Sequence, residues 1–168
     1  MTSKVCPIKI KDNLVELIKT AFENRTKPIS VIAPDTPNTH DVYEALHFQG
    51  MSWDAPSAQE WHDFSDALSR FSTEAFCYYL AGILCLTIKE GEIDLEVVNH
   101  IIESLDRSPT PEYWDGYFLS RWPALSRMEC DAVAEWIIWL SQEPDNPFSD
   151  DSLMRAYESM ALVKQSLG

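Results

Sequence analysis

Residues 72–89, STEAFCYYLAGILCLTIK, decide the fold. Ser72 or Thr73 followed by Glu74 is a helix start, because a short hydroxyl accepts a free backbone N–H and an acid complements the positive helix end. From Ala75 to Ile88 almost every side chain is apolar and no polar face remains. That pattern predicts a helix buried on all sides. Glu90-Gly91 stops it. The apolar run is shorter than the ~20 residues needed to span a bilayer, so the stretch belongs at the centre of a helical bundle.

Working outward, Ser126-Arg-Met-Glu129 is a capping box, in which the Ser side chain takes the N3 amide and the Glu reaches back. It opens a helix to about Gln142 that holds Val133, Trp136, Ile137, Ile138, Trp139 and Leu140 and is expected to be largely buried as well. Ser57-Ala-Gln-Glu60 is a second capping box and opens a helix through Arg70. Amphipathic spacing predicts further helices over Ile10–Asn24 (capped by Asp12), His40–Phe48, the stretch capped by Asp94 and ending at Leu105, and Asp151–Ser166. A short aromatic one follows Thr110-Pro111. Pro28, Pro34 and Pro37 exclude a continuous helix between 28 and 38. Hairpin signals of the Asn-Gly type and repeats are absent. The expectation is one domain over 1–168, all-α, an irregular bundle of about seven helices, with 73–89 and 127–142 central and buried.

Charge is the second strong signal. The net charge is -14, and residues 1–27 carry six Lys/Arg against three acids, whereas residues 28–168 carry seven against 24. Such a surface repels nucleic acid and anionic membrane and favours a basic protein partner. Charges interrupt the N-terminal segment before an apolar run develops, so no secretory leader is expected. Cys6, Cys77, Cys85 and Cys130 form no CxxC pair, and three sit in apolar helical patterns. Free thiols in a reducing, cytoplasmic setting are the expectation.

Three sets of residues could carry chemistry or recognition. His40, Glu44 and His47 recur at helical spacing on one face, and imidazole with carboxylate is zinc chemistry. The usual helical zinc pair is four apart, however, and here the histidines are seven apart, so the polar face of a surface helix competes with a metal site. His62 among Glu60, Asp63 and Asp66 could do acid–base work or form a solvated recognition face. Gly-x-Ser-x-Gly and phosphate-loop patterns are absent, and no cofactor is expected. Trp53 beside Asp54, and Trp114 with Glu112, Tyr113 and Asp115, place aromatics among acids as interface anchors with a polar rim do. The competing expectation is that both Trp pack under their own loops.

The segment Trp61-x2-Phe64-x3-Leu68-x2-Phe71 followed by STEAFCYYL resembles a bacterial domain family of unknown function, as do Ala21-Phe22 and Leu125-Ser126-x-x-Glu129. The resemblance covers about half the chain. Ala81 stands where that family is expected to have Pro, so the central helix should be straighter. Small acidic bacterial proteins of this kind are similar to immunity proteins, which block a toxin. A non-enzymatic immunity protein for a basic toxin domain is therefore the leading expectation. A hydrolytic or metal-dependent enzyme is one alternative, and an oligomeric structural or regulatory subunit is the other.

Overall fold

The computed structural model describes residues 6–167. Among them are nine α-helices and no strand: α1 Pro7–Phe22, α2 His40–Leu46, α3 Ala58–Asp63, α4 Ala67–Arg70, α5 Thr73–Glu90, α6 Glu96–Leu105, α7 Gly116–Leu119, α8 Arg127–Gln142 and α9 Asp150–Ser166. The all-α class holds; nine helices replace the expected seven or so. None is long and apolar enough to cross a membrane.

α5 is the axis. Thirteen of its residues, from Ala75 to Ile88, are buried. Ser72 accepts from the Ala75 amide at one end, and Gly91 closes the other in the left-handed conformation at φ 71°, which glycine adopts without penalty. The helix is unbroken across Ala81. α1 packs on both α5 and α8, α9 on α8 and α6, α2 on α4, and α3 on α6. The Trp136 indole donates to the Thr87 hydroxyl at 2.9 Å and ties α8 to α5.

Both capping boxes form, at Ser57/Glu60 and Ser126/Glu129. Two other expected caps do not. α1 starts at Pro7, five residues before Asp12, because proline at the first position is already set for helix and has no N–H to satisfy. Leu95, not Asp94, occupies the N-cap of α6, with no side-chain bond. The helix expected over 57–70 breaks into α3 and α4 at Phe64, whose φ -119° and ψ 48° are not helical. Contacts from α2 meet the break. The His47 ring stacks on Phe64 at 3.9 Å, and Glu44 accepts from the Asp66 amide at 2.8 Å. The expected aromatic helix 112–121 divides likewise, into a 3-10 turn at Pro111–Tyr113 and α7.

α8 also departs from expectation. One side, with Cys130, Val133, Trp136, Ile137 and Leu140, is buried, but Glu135 and Ser141 are exposed and Ile138 is half-buried. The helix packs against α1 and α9 and meets α5 through Trp136, with one side left to solvent, whereas α5 is buried on every side from Ala75 to Leu84.

Candidate functional site

α2 is the natural place to begin, because it carries the His40/Glu44/His47 face. His40 is exposed. Glu44 is engaged by the Asp66 amide. His47 Nε2 lies 3.0 Å from Glu60 Oε1, while its ring is clamped between Phe64 and the edge of Phe48. The face that resembles a ligand set thus fastens α2 to α3 and α4. Among the described residues no group of three His, Cys, Asp or Glu could hold a metal ion.

The acids of α3 have similar local roles. Glu60 accepts from the Ser57 amide at 2.8 Å as part of the capping box. That bond, ahead of the one to His47, holds its carboxyl below the usual range. Asp63 is exposed and accepts from Gln59 at 2.8 Å. Asp66 is exposed. His62 lines a shallow cleft with Glu92 and Asp94, two carboxylates of the α5–α6 turn.

Of the two tryptophans weighed as surface anchors, Trp114 packs under its own loop and Trp53 is half-buried against α5. Trp114 is only 8% exposed, its indole donates to the Ser108 carbonyl at 3.0 Å, and its ring lies 4.6 Å from Phe118. It packs beneath its own loop, so it cannot anchor a partner. Tyr113 beside it is 78% exposed, and Glu112 is exposed. Asp115 caps α7 by accepting from the Phe118 amide at 2.9 Å and pairs with Arg107 at 3.2 Å. Trp53 is half-buried. Its amide donates to the Tyr78 hydroxyl at 3.3 Å, and its carbonyl presses onto Gly82. A Cβ at Gly82 would overlap the Trp53 carbonyl oxygen and lie 3.1 Å from its carbon. The loop therefore closes on α5 only because position 82 has no side chain. Asp54, exposed, lines a cavity of about 300 Å³ with Lys19, Arg25 and Tyr78.

The three buried thiols are unsuited to nucleophilic chemistry. Burial pushes Cys77 and Cys85 up to about 11 and Cys130 up to about 12, and a thiol held neutral is a poor nucleophile.

What sequence patterns did not reveal is a pair of apolar grooves flanking the outer edge of α8. One, of about 490 Å³, lies between α8 and α9 and is lined by Ile137, Ile138, Leu153, Met154 and Tyr157, with Asp150 and Ser141 at its polar edge. The other, of about 380 Å³, lies between α1 and α8 and includes Ile10, Leu17 and Trp139. Ile138 is common to both. A signal was present in α9. Leu153, Ala156, Met160 and Val163 form one buried stripe, and Met154, Tyr157 and Ala161 form a second, exposed one beside it. An apolar arc that wide exceeds what one packing neighbour covers.

Compared with protein families, with curated proteins and with solved structures, the chain has no match in any of the three.

Proposed function

We propose that this chain is a non-enzymatic binding module for a basic protein, and within that class an immunity protein that neutralises a basic toxin domain. The observation that carries the proposal is the state of its charges. The chain has 27 acidic side chains, and among the described residues six of them pair with Lys or Arg and two more lie against a His. Beyond residue 28 four of the seven cations, Arg70, Arg107, Arg155 and Lys164, each pair with a carboxylate. The remaining carboxylates lie mostly at the surface and present a negative field to solvent. Fields of this kind steer an oppositely charged protein into encounter and fix its orientation. The exposed apolar grooves beside α8 supply the area that steering alone lacks. The resemblance of the Trp61–Leu80 segment to a bacterial family, together with the size and acidity, supports the immunity role.

The test is capture of the partner from the native host at low ionic strength, followed by kinetics on the purified pair. Association is expected to slow by roughly tenfold or more as salt rises from about 50 to about 500 mM, because the screening length falls several-fold. Expression of the captured protein alone should arrest growth, and co-expression of this chain should restore it. Recovery of no partner at low salt overturns the binding role. A partner whose expression is harmless overturns the immunity role alone.

A further inference from the structure

We infer that the groove between α8 and α9 is a docking site for an amphipathic helix of a partner protein, one with aliphatic side chains on one face and Lys or Arg on its flanks. The inference rests on the protein-binding function proposed above and names the surface and the shape of its ligand.

The lining comes from two adjacent helices at positions 137, 138 and 141 of α8 and 153, 154 and 157 of α9. Residues spaced by three and four along neighbouring helices form ridges with a channel between them, and the complementary object is the ridge of a third helix. Met154 is 54% exposed and Tyr157 is 41% exposed, so apolar side chains already stand at the channel's lip. Thioether and phenol side chains adapt to an incoming surface at small entropic cost.

Charge selects the occupant. On α9 and the α8–α9 connection, Glu143, Asp145, Asp150, Asp151 and Glu158 have no ion-pair partner among the described residues, and Arg127, the unpaired cation of α8, stands at the start of that helix outside the groove lining. The two cations of α9, Arg155 and Lys164, are tied to Asp106 and Asp131. Asp150 stands in the groove lining itself. An apolar channel with Asp150 in its lining, on a chain with a net charge of -14, matches a helix with a basic rim, and it disfavours a second copy of this chain, which would bring the same negative charge to the interface. The groove on the other side of α8 carries both signs of charge: Glu135 lines it, and Lys11 lies 6.0 Å over the Trp139 ring there.

The test uses the full chain and a labelled synthetic peptide of about five helical turns, with Leu at helical spacing on one face and Lys elsewhere. A control peptide keeps the Leu face and replaces Lys by Glu. Fluorescence anisotropy should show binding of the Lys peptide and not of the Glu peptide. The Met154→Gln/Tyr157→Gln variant should weaken binding at least tenfold, and Tyr43→Gln, an exposed aromatic of α2, should change it less than twofold. Both altered side chains of the double variant are exposed, and its thermal unfolding is measured alongside to confirm the fold. Equal binding to all three proteins would show general attraction to an acidic surface and overturn the docking site, as would absence of binding. Sedimentation of a dimer that the double variant dissociates would assign the groove to a second copy and overturn the basic-helix occupant. The captured partner separates this inference from the function it rests on. If the partner binds the double variant as tightly as the wild type, the groove fails and the binding function stands. If the peptide binds as expected but the host yields no partner, the binding function fails.

Discussion

Replacement of Arg25 by Met should be among the most damaging single changes outside the core. Arg25, just beyond α1, donates from Nε and Nη2 to the two carboxylate oxygens of Glu129 at 2.7 and 2.6 Å, and Nη2 also reaches the Ala124 carbonyl at 2.8 Å. Glu129 is 3% exposed and also accepts from the Ser126 amide at 2.7 Å to complete the capping box of α8. The bond to Glu129 outweighs burial and raises Arg25 above its ordinary value. In Arg25→Met the carboxylate keeps one of three donors and stays enclosed. Breaking a buried pair from one side costs about 3–5 kcal/mol. The partial exposure of the Arg25 side chain places this case near the lower end, at about 3 kcal/mol, or a fall in Tm of roughly 6–12 °C for a chain of this size. Glu129→Met should cost about 2 kcal/mol, since the cap contributes about 1 and the freed guanidinium can turn to solvent. The double variant leaves no charge stranded, so it should be about 2 kcal/mol more stable than the singles predict by addition. Urea unfolding of the four proteins measures the cycle. Additivity within about 0.5 kcal/mol, or a negligible effect of Arg25→Met, would refute the account of this pair.

Gly82→Ala should destabilise by about 2–3 kcal/mol, because the new methyl meets backbone and not a movable side chain; Trp fluorescence should shift as the 53 loop lifts, and a loss below about 0.5 kcal/mol would contradict the close approach. Thiol titration of the native protein should find one fast-reacting cysteine, the exposed Cys6, and four after denaturation; a second fast equivalent would show that α5 or α8 opens readily. Stability should fall at alkaline pH under reducing conditions. Cys77, Cys85 and Cys130 are pushed up to about 11, 11 and 12, and Tyr79 to about 12, all chiefly by burial. The unfolded chain therefore loses these protons first. The stability is fully present below the unfolded thiol range and is lost as pH rises towards the folded values, at roughly 1.4 kcal/mol per pH unit for each group titrating. A flat profile between pH 8.5 and 11 would contradict the burial of these groups.

Much of the helical framework was legible because its signals are local. The hydroxyl caps at Ser57, Ser72 and Ser126 and the glycine after α5 act within one turn of chain, and the all-apolar run of α5 needs no knowledge of its neighbours. The site was less legible. The aromatic-with-acid pattern is the same for Trp114, which is buried, and Tyr113, which is exposed. Which of two adjacent side chains turns inward depends on Phe118 and Ser108, whose placement is set by packing.

Residue order alone determined that this chain is helical, that its centre is the segment 73–89, and that its excess of negative charge lies beyond residue 27. These follow from propensity, periodicity and counting. Tertiary structure decided what the polar and apolar surplus does. It used Glu44, His47 and Glu60 to fasten α2, α3 and α4, so a face spaced like a metal site became a joint. It also covered one apolar stripe of α9 with α8 and left the next one open. The physical reason is that a helix presents every face in its sequence, while only its neighbours determine which face loses contact with water.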